Sequence, residues 1–192
     1  MRQIIFFDLE TTGIPVWGKP SESDGQPHIV ELAALVVDED TRTVIQGFNV
    51  IVKPETWVIP QETTDIHGIT NAHAMDVGIP EHLVLDVFLA MWNGRLRVAH
   101  NTTFDNRIIR IAIKRYCSRA TADAWKESQY MCTGLLAKPI MKMPLAGKRG
   151  DKMPKLSEAY LHFTGKELEG QHTAMADVRA CMAIYFAVKD RG

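Results

Sequence analysis

The chain has 192 residues, 46% of them hydrophobic, which is enough to bury one sizeable core and short of the length at which chains divide into several domains. Its 22 basic and 23 acidic side chains leave a formal net charge of -1, which excludes attraction to a polyanion by overall charge. Any such binding has to come from local basic patches or bound metal ions. Cys117, Cys132 and Cys181 are odd in number and outside any CxxC spacing, which argues against a disulfide framework or a structural zinc site. They read as reduced core thiols of a cytoplasmic protein.

The N-terminus, MRQIIFFDLE, carries an apolar stretch of only four residues before its first acid, too short for a signal-peptide core or a membrane span. No targeting segment and no membrane partner are expected. Residues 4–9 form an apolar run broken by one acid, the pattern of a central strand buried on both faces. Strands at 28–37 and 44–53 follow, joined by an acidic turn at 38–40, so that the N-terminal part reads as an antiparallel meander. Between the first two strands, residues 14–27 (IPVWGKPSESDGQP) are rich in Pro, Gly and Ser and read as a loop insertion with Trp17 as its large anchor.

The second half predicts a helix at 80–93, a short strand at 96–100, and a helix at 103–116. After an ill-defined stretch at 121–127 come a strand at 129–132 and helices at 156–163 and 173–189, the last with Thr173 as its cap. Residues 138–155 hold three prolines, two glycines and six basic residues against one acid, which reads as a long mobile loop. The whole is a single domain, 1–192, of mixed α/β class, with 14–27 and 138–155 as loop insertions.

Four carboxylates stand out in this arrangement. Strand alternation puts Ile4, Phe6, Asp8 and Glu10 on one face and Ile5, Phe7 and Leu9 on the other. Asp105 opens the helix that continues with Ile108, Ile109, Ala112 and Tyr116, which places it on the apolar stripe, opposite Arg107, Arg110 and Lys114. Asp177 repeats the pattern on a stripe of Ala174, Val178, Cys181, Ile184 and Val188. An acid in a first helical turn also suits the helix macrodipole, and that role stays open for both.

Unpaired buried carboxylates are costly, so three elements each sending acid toward the core imply a positive charge between them. Divalent cations such as Mg²⁺ or Mn²⁺ are the simplest candidate, and two such ions can clamp the attacking and leaving oxygens of a phosphoryl displacement. His172, five residues before Asp177, is placed to accept a proton from water.

The three motifs FDLETTG, AHNTTFD and HTAMAD resemble those of the DEDDh, or DnaQ-like, branch of the 3′-to-5′ exonucleases, which includes the proofreading subunit of bacterial DNA polymerase III and RNase T. The HGIT segment at 67–70 and the LSEAYLHFTG segment at 156–165 add to the resemblance. It implies an RNase H-like fold, a central mixed sheet flanked by helices, and hydrolysis that releases nucleoside 5′-monophosphates. It further implies that Asp8, Glu10 and Asp177 bind one metal ion, that Asp8 bridges to a second held by Asp105, and that His172 is the general base.

Residues matching Leu9, Thr11 and Thr12 would lie against the terminal nucleotide, and those matching His67, Ile69, Asn101 and Phe104 would hold or wedge the 3′ end. For Ile69 and Phe104 ordinary core packing is an equal alternative, and His100 reads as a satisfied strand-end histidine. In the basic segment, Lys148, Arg149 and Lys152 are candidate phosphate contacts. The favoured partner is DNA, with RNA 3′-end trimming as the alternative, because sugar selectivity depends on pocket geometry. A non-catalytic nucleic-acid-binding module on the same fold is a third reading. The chain ends at Gly192, soon after the last helix, which makes tethering to a polymerase through a C-terminal extension unexpected. Oligomeric state is not legible.

Overall fold

The computed structural model describes residues 2–145, 147 and 149–191. Its centre is a six-stranded mixed sheet built from β1 (Gln3–Thr11), β2 (Ile29–Asp38), β3 (Val44–Lys53), β4 (Ile79–Pro80), β5 (Leu96–Ala99) and β6 (Tyr130–Cys132). The order across the sheet is β4-β3-β2-β1-β5-β6. β1, β2 and β3 form the antiparallel meander, while β5 runs parallel to β1 and β6 parallel to β5. This is the mixed α/β, RNase H-like architecture that the motifs imply.

Around the sheet lie α1 (Gln61–His67), α2 (Asn71–Val77), α3 (Glu81–Trp92), α4 (Thr102–Tyr116), α5 (Arg119–Glu127), α6 (Thr133–Met141), α7 (Leu156–Thr164) and α8 (Ala174–Lys189). The two faces of β1 sort them. Ile5, Phe7 and Leu9 pack with Leu85 and Phe88 of α3, Ile108 and Ala112 of α4, and Trp125 of α5. Ile4 and Phe6 pack with Val178, Cys181 and Tyr185 of α8. A strand covered by helices on both sides explains why the run is apolar on both faces up to Asp8, since neither face meets water there.

One buried acid ties the start of β2 to two helices. Glu81, 1% exposed, accepts from the Ile29 N–H at 2.9 Å and from the Tyr116 hydroxyl at 2.9 Å, and pairs with His28 at 2.7 Å and with Arg115. Arg115 also donates to the carbonyls of Gln26 and Pro27, and the Gln26 amide bridges Val16 and Pro20. Segment 14–27, which contains turns but neither helix nor strand, is therefore pinned at its base.

Four helices depart from the sequence reading. α1 and α2, seven residues each, occupy a stretch without an assigned element, because two turns are too short to show a period. α5 fills the ill-defined stretch at 121–127; it buries only Ala122 and Trp125, so its apolar stripe is two residues deep. α6 runs to Met141 and so takes the first four residues of the expected loop at 138–155. Pro139 sits in its last turns, where one missing N–H costs little. Beyond α6 the segment closes on itself through the bridge between Pro144 and Asp151 and the Lys152 N–H to Met143 carbonyl bond of 2.8 Å. No helix among the described residues is long and apolar enough to cross a membrane.

Candidate active site

The C-terminal end of β1 meets the N-terminal ends of α4 and α8 at a cavity of about 560 Å³. Asp8, Glu10, Asp105, Asp177 and His172 all line it, together with Leu9, Asn101 and Phe104. Asp8 and Glu10 arrive from the strand face that looks toward α8. Asp105 is 3% exposed and Asp177 8%, each in the first turn of its helix, while His172 is exposed. His172 has a left-handed backbone, φ 68°, a conformation in which histidine is over-represented among non-glycine residues. Ligand atoms of Glu10, His172 and Asp177 lie within 4.8 Å of one another.

Burial and mutual repulsion dominate the electrostatics. Burial, then Asp105, Asp177, Glu10 and Glu31, hold the Asp8 carboxyl well above the ordinary carboxylate range. Burial and the neighbouring acids push Glu10 up to about 8. Asp105 is raised by burial against the opposing pull of its own backbone N–H. Asp177 is raised by burial to about 6, with the His172 backbone N–H and imidazole opposing.

Among the described residues no lysine or arginine pairs with any of these acids. One oxygen of Asp177, Oδ1, is buried without any hydrogen-bond partner. Hard carboxylate oxygens, an orphaned buried oxygen and a missing counter-charge together fit a divalent cation.

Glu31 is the residue that sequence reasoning missed. It lies on β2 directly opposite Glu10, is 6% exposed, and accepts the backbone N–H of Ala174 at 2.9 Å. Thr173 reads from the sequence as the cap of α8, but its hydroxyl donates to the Gly170 carbonyl at 2.8 Å and makes no cap bond. The cap of the helix that carries Asp177 comes instead from a strand. The available signal was a lone acid inside the apolar run HIVELAALVV. Glu31→Ala is expected to slow turnover roughly tenfold as α8 shifts, while the stability lost with the cap, about 1 kcal/mol, is partly offset by relief of its repulsion of Asp8 and Glu10. Glu31→Gln, which keeps an accepting oxygen, should restore both, as chemical denaturation and initial rates would report.

The remaining candidate residues distribute unevenly. Thr11 donates to the Gly13 carbonyl at 2.7 Å and Thr12 accepts the His28 N–H at 2.9 Å, so both hydroxyls fix the end of β1 and neither lines the cavity. His67 is 7% exposed; its Nδ1 accepts from Ile69 N–H at 3.1 Å, which leaves a buried Nε2 without a partner. Burial and nearby His172 lower the His67 pKa. Ile69 packs with Val30, Ile59 and Ala74 in a separate small core. His100 is bonded at both nitrogens, to the Thr133 hydroxyl and the Pro154 carbonyl, each at 2.9 Å. Through Pro154 it holds Lys155 at the cavity rim. Of the basic candidates, Arg149 is exposed, Lys152 pairs with Glu158 at 2.7 Å, and Lys148 lies outside the described residues.

A mixed sheet that gathers strand and helix carboxylates at one cavity defines the RNase H-like class of fold. Residues 5–185 match the RNase T family, described as exonucleases, and the chain belongs to that family. Among curated relatives, a Mycobacterium tuberculosis protein described as a bifunctional exonuclease/endonuclease is 28% identical over 190 residues, covering 97% of this chain and 26% of its own length. A PolC-type DNA polymerase III of Thermotoga petrophila is 28% identical over 144 residues, covering 72% of this chain and 9% of the polymerase. The chain thus spans about a quarter or less of these relatives.

Among solved structures, Escherichia coli exonuclease I in complex with a dT13 oligonucleotide superimposes with a TM-score of 0.77 at 22% identity, covering all of this chain and 42% of that one. A product-bound exonuclease I gives 0.73 at 21% identity, with 99% and 44% covered.

Proposed function

We propose that this chain is a single DEDDh exonuclease domain that removes nucleotides from the 3′ end of DNA, single-stranded or frayed. The observation that carries the reading is the convergence of Asp8, Glu10, Asp105 and Asp177 with His172 on one cavity, where among the described residues no lysine or arginine pairs with the acids. The likeness to an exonuclease I structure that holds a DNA oligonucleotide supports DNA as the substrate.

Asp8, Glu10 and Asp177 would hold one divalent cation, and Asp8 with Asp105 a second. Bound there, Mg²⁺ or Mn²⁺ supplies Lewis acidity at the scissile phosphate and makes water a better nucleophile. His172, at the solvent side of the cavity, accepts the proton of the attacking water. The new P–O bond forms as the bond to the 3′ oxygen of the preceding nucleotide breaks, which frees a nucleoside 5′-monophosphate and leaves a 3′-hydroxyl on the shortened strand. Leu9 and Phe104 give the cavity an apolar wall for the terminal base, and the free Nε2 of His67 is suited to donate to the end of the chain.

The test is a 5′-labelled oligonucleotide incubated with the purified protein and Mg²⁺ or Mn²⁺, run in parallel as DNA and RNA. A ladder shortening one nucleotide at a time with mononucleotide release is expected, abolished by chelator and recovered on adding the ion back. Binding of 3′ ends without release of mononucleotide would instead establish a non-catalytic module, and preference for RNA would make the domain a 3′-end trimming ribonuclease.

A further inference from the structure

A second pocket, of about 240 Å³, opens on the solvent side of α4, between segment 14–27 and the α5–β6 connection. Arg97, Arg107, Arg110 and Lys126 line it, with no acid among its lining residues, in a chain whose net charge is -1. Trp17 and Tyr130 stand at its rim, 53% and 54% exposed.

The basic groups have been left without counter-charges. Arg97 is 1% exposed and its guanidinium lies over the Trp125 ring at 3.6 Å. It donates only to neutral acceptors, the Asn106 side chain at 3.0 Å and the carbonyls of Trp125 and Ser128 at 2.8 and 2.9 Å. Its Nε is buried without a partner, as are Nε of Arg107 and Nε of Arg110. None of the four cations forms an ion pair among the described residues. Burial depresses the Arg97 pKa to about 10, the mark of a cation kept inside the protein without a carboxylate. Arg107 also donates to the Lys19 carbonyl, which draws the Trp17 segment against α4.

From the charge, the aromatic rim and the position on α4, we infer that this groove holds one nucleotide of the single-stranded substrate, upstream of the end being cut, with its phosphate on Arg107 and Arg110 and its base against Trp17. The pairing of guanidinium groups with exposed aromatic faces is what a single strand requires, since every base offers a face to stack and every linkage a negative charge. A volume of about 240 Å³ is on the scale of a single nucleotide. The first turn of α4 serves both sites: Phe104 and Asp105 face the catalytic cavity, while Thr103 and Asn106 face the groove. A helix diameter on the order of 10 Å separates them, a span that a few nucleotides of extended strand bridge. Segment 14–27 follows directly on the Asp8 and Glu10 motif and thereby acquires a role as one wall of the strand path.

The inference rests on the exonuclease reading, so binding and catalysis are measured separately. Binding of fluorescein-labelled dT12 and dT2 is followed by anisotropy in chelator, and hydrolysis of the p-nitrophenyl ester of thymidine 5′-monophosphate is followed with Mn²⁺. Arg107→Ala with Arg110→Ala, and separately Trp17→Ala, should weaken dT12 binding tenfold or more, with dT2 binding and ester hydrolysis within about twofold of the parent. The double arginine variant should also flatten the slope of log affinity against log salt by about 1.4, two contacts at roughly 0.7 each. Arg107→Lys with Arg110→Lys should recover the slope and part of the affinity. Unchanged dT12 affinity and salt slope in variants that hydrolyse the ester normally would overturn the groove. A parent protein that cleaves neither DNA nor ester would overturn the exonuclease reading alone, because dT12 binding in chelator still reports on the groove.

Discussion

Asp8→Asn is expected to abolish nucleotide release while raising the melting temperature of the chelated protein. Asp8 faces every other acid of the site: Asp105, Asp177, Glu10 and Glu31 all act on it, on top of its burial. Replacing it with an uncharged side chain of the same shape removes the repulsion at its centre and leaves the packing of β1 intact. The gain should be about 1 kcal/mol, which for a domain of this size shifts the melting temperature by roughly 2 to 4 °C. The same substitution removes the carboxylate assigned to both cations, so the rate should fall by on the order of 10³-fold, about 4 kcal/mol of transition-state stabilisation.

The parent should be stabilised strongly by Mn²⁺ and the variant little, because only an ion that binds the folded site can shift unfolding. Calorimetry with and without chelator, beside single-turnover assays, checks both halves. A variant that is destabilised, or that cleaves at parental rate, would show that Asp8 is an ordinary structural acid.

The sign of the pH dependence follows from the same cluster. Glu10 is raised to about 8 and Asp177 to about 6, whereas in the unfolded chain such carboxyls titrate near 4. Between about pH 4 and pH 8 these carboxyls hold more protons in the folded, chelated protein than in the unfolded chain, so their contribution to stability falls as pH rises, against a smaller window of opposite sign from His67 and His100, whose pKa values burial lowers. The contribution of these raised groups is fully present near pH 4 and lost as pH passes through about 8. Added divalent cation should flatten the slope over that window, since the acids then face positive charge in place of one another. Thermal melts at intervals from pH 5 to pH 8 measure it.

What the sequence made legible was whatever local periodicity encodes. Alternation along β1 puts Asp8 and Glu10 on the face of Ile4 and Phe6, and that face packs on α8, the helix bearing Asp177. The stripes of α4 and α8 likewise orient Asp105 and Asp177 inward. What escaped was encoded in contacts between distant residues. Glu31 sits in β2, which is buried on both faces along its whole length, so no alternation marks which way its acid points. The Glu31 cap spans 143 positions of sequence, and nothing near Thr173 announces that its hydroxyl is used elsewhere. The Arg97–Trp125 stack joins a four-residue strand to a helix too short for its stripe to be read. The basic segment at 138–155 stands out by composition, yet Lys152 is occupied by Glu158, while Arg107 and Arg110 of α4 share one acid-free groove with Arg97 and Lys126.

His172→Asn separates a base from a metal ligand at a cavity residue whose chemistry admits both roles. Its imidazole stands within 4.8 Å of ligand oxygens of Glu10 and Asp177, close enough to join them around an ion or to act on water beside it. Asparagine is the informative replacement, because the position needs a left-handed backbone, φ 68°, which Asn tolerates and Ala does not. The backbone N–H that opposes the raised pKa of Asp177 is kept as well. If His172 is the base, turnover should fall by roughly 10² to 10⁴-fold while KM and the Mn²⁺ concentration giving half-maximal stabilisation stay within about threefold. Because His172 is exposed, imidazole added to the buffer should restore part of the lost rate. If His172 is a ligand, the half-saturating Mn²⁺ concentration should rise in step with the loss of rate, and imidazole should rescue metal binding along with turnover. Isothermal titration of Mn²⁺ into parent and variant, paired with rates at saturating metal, distinguishes the two, since a base leaves the carboxylate cage intact and a ligand does not.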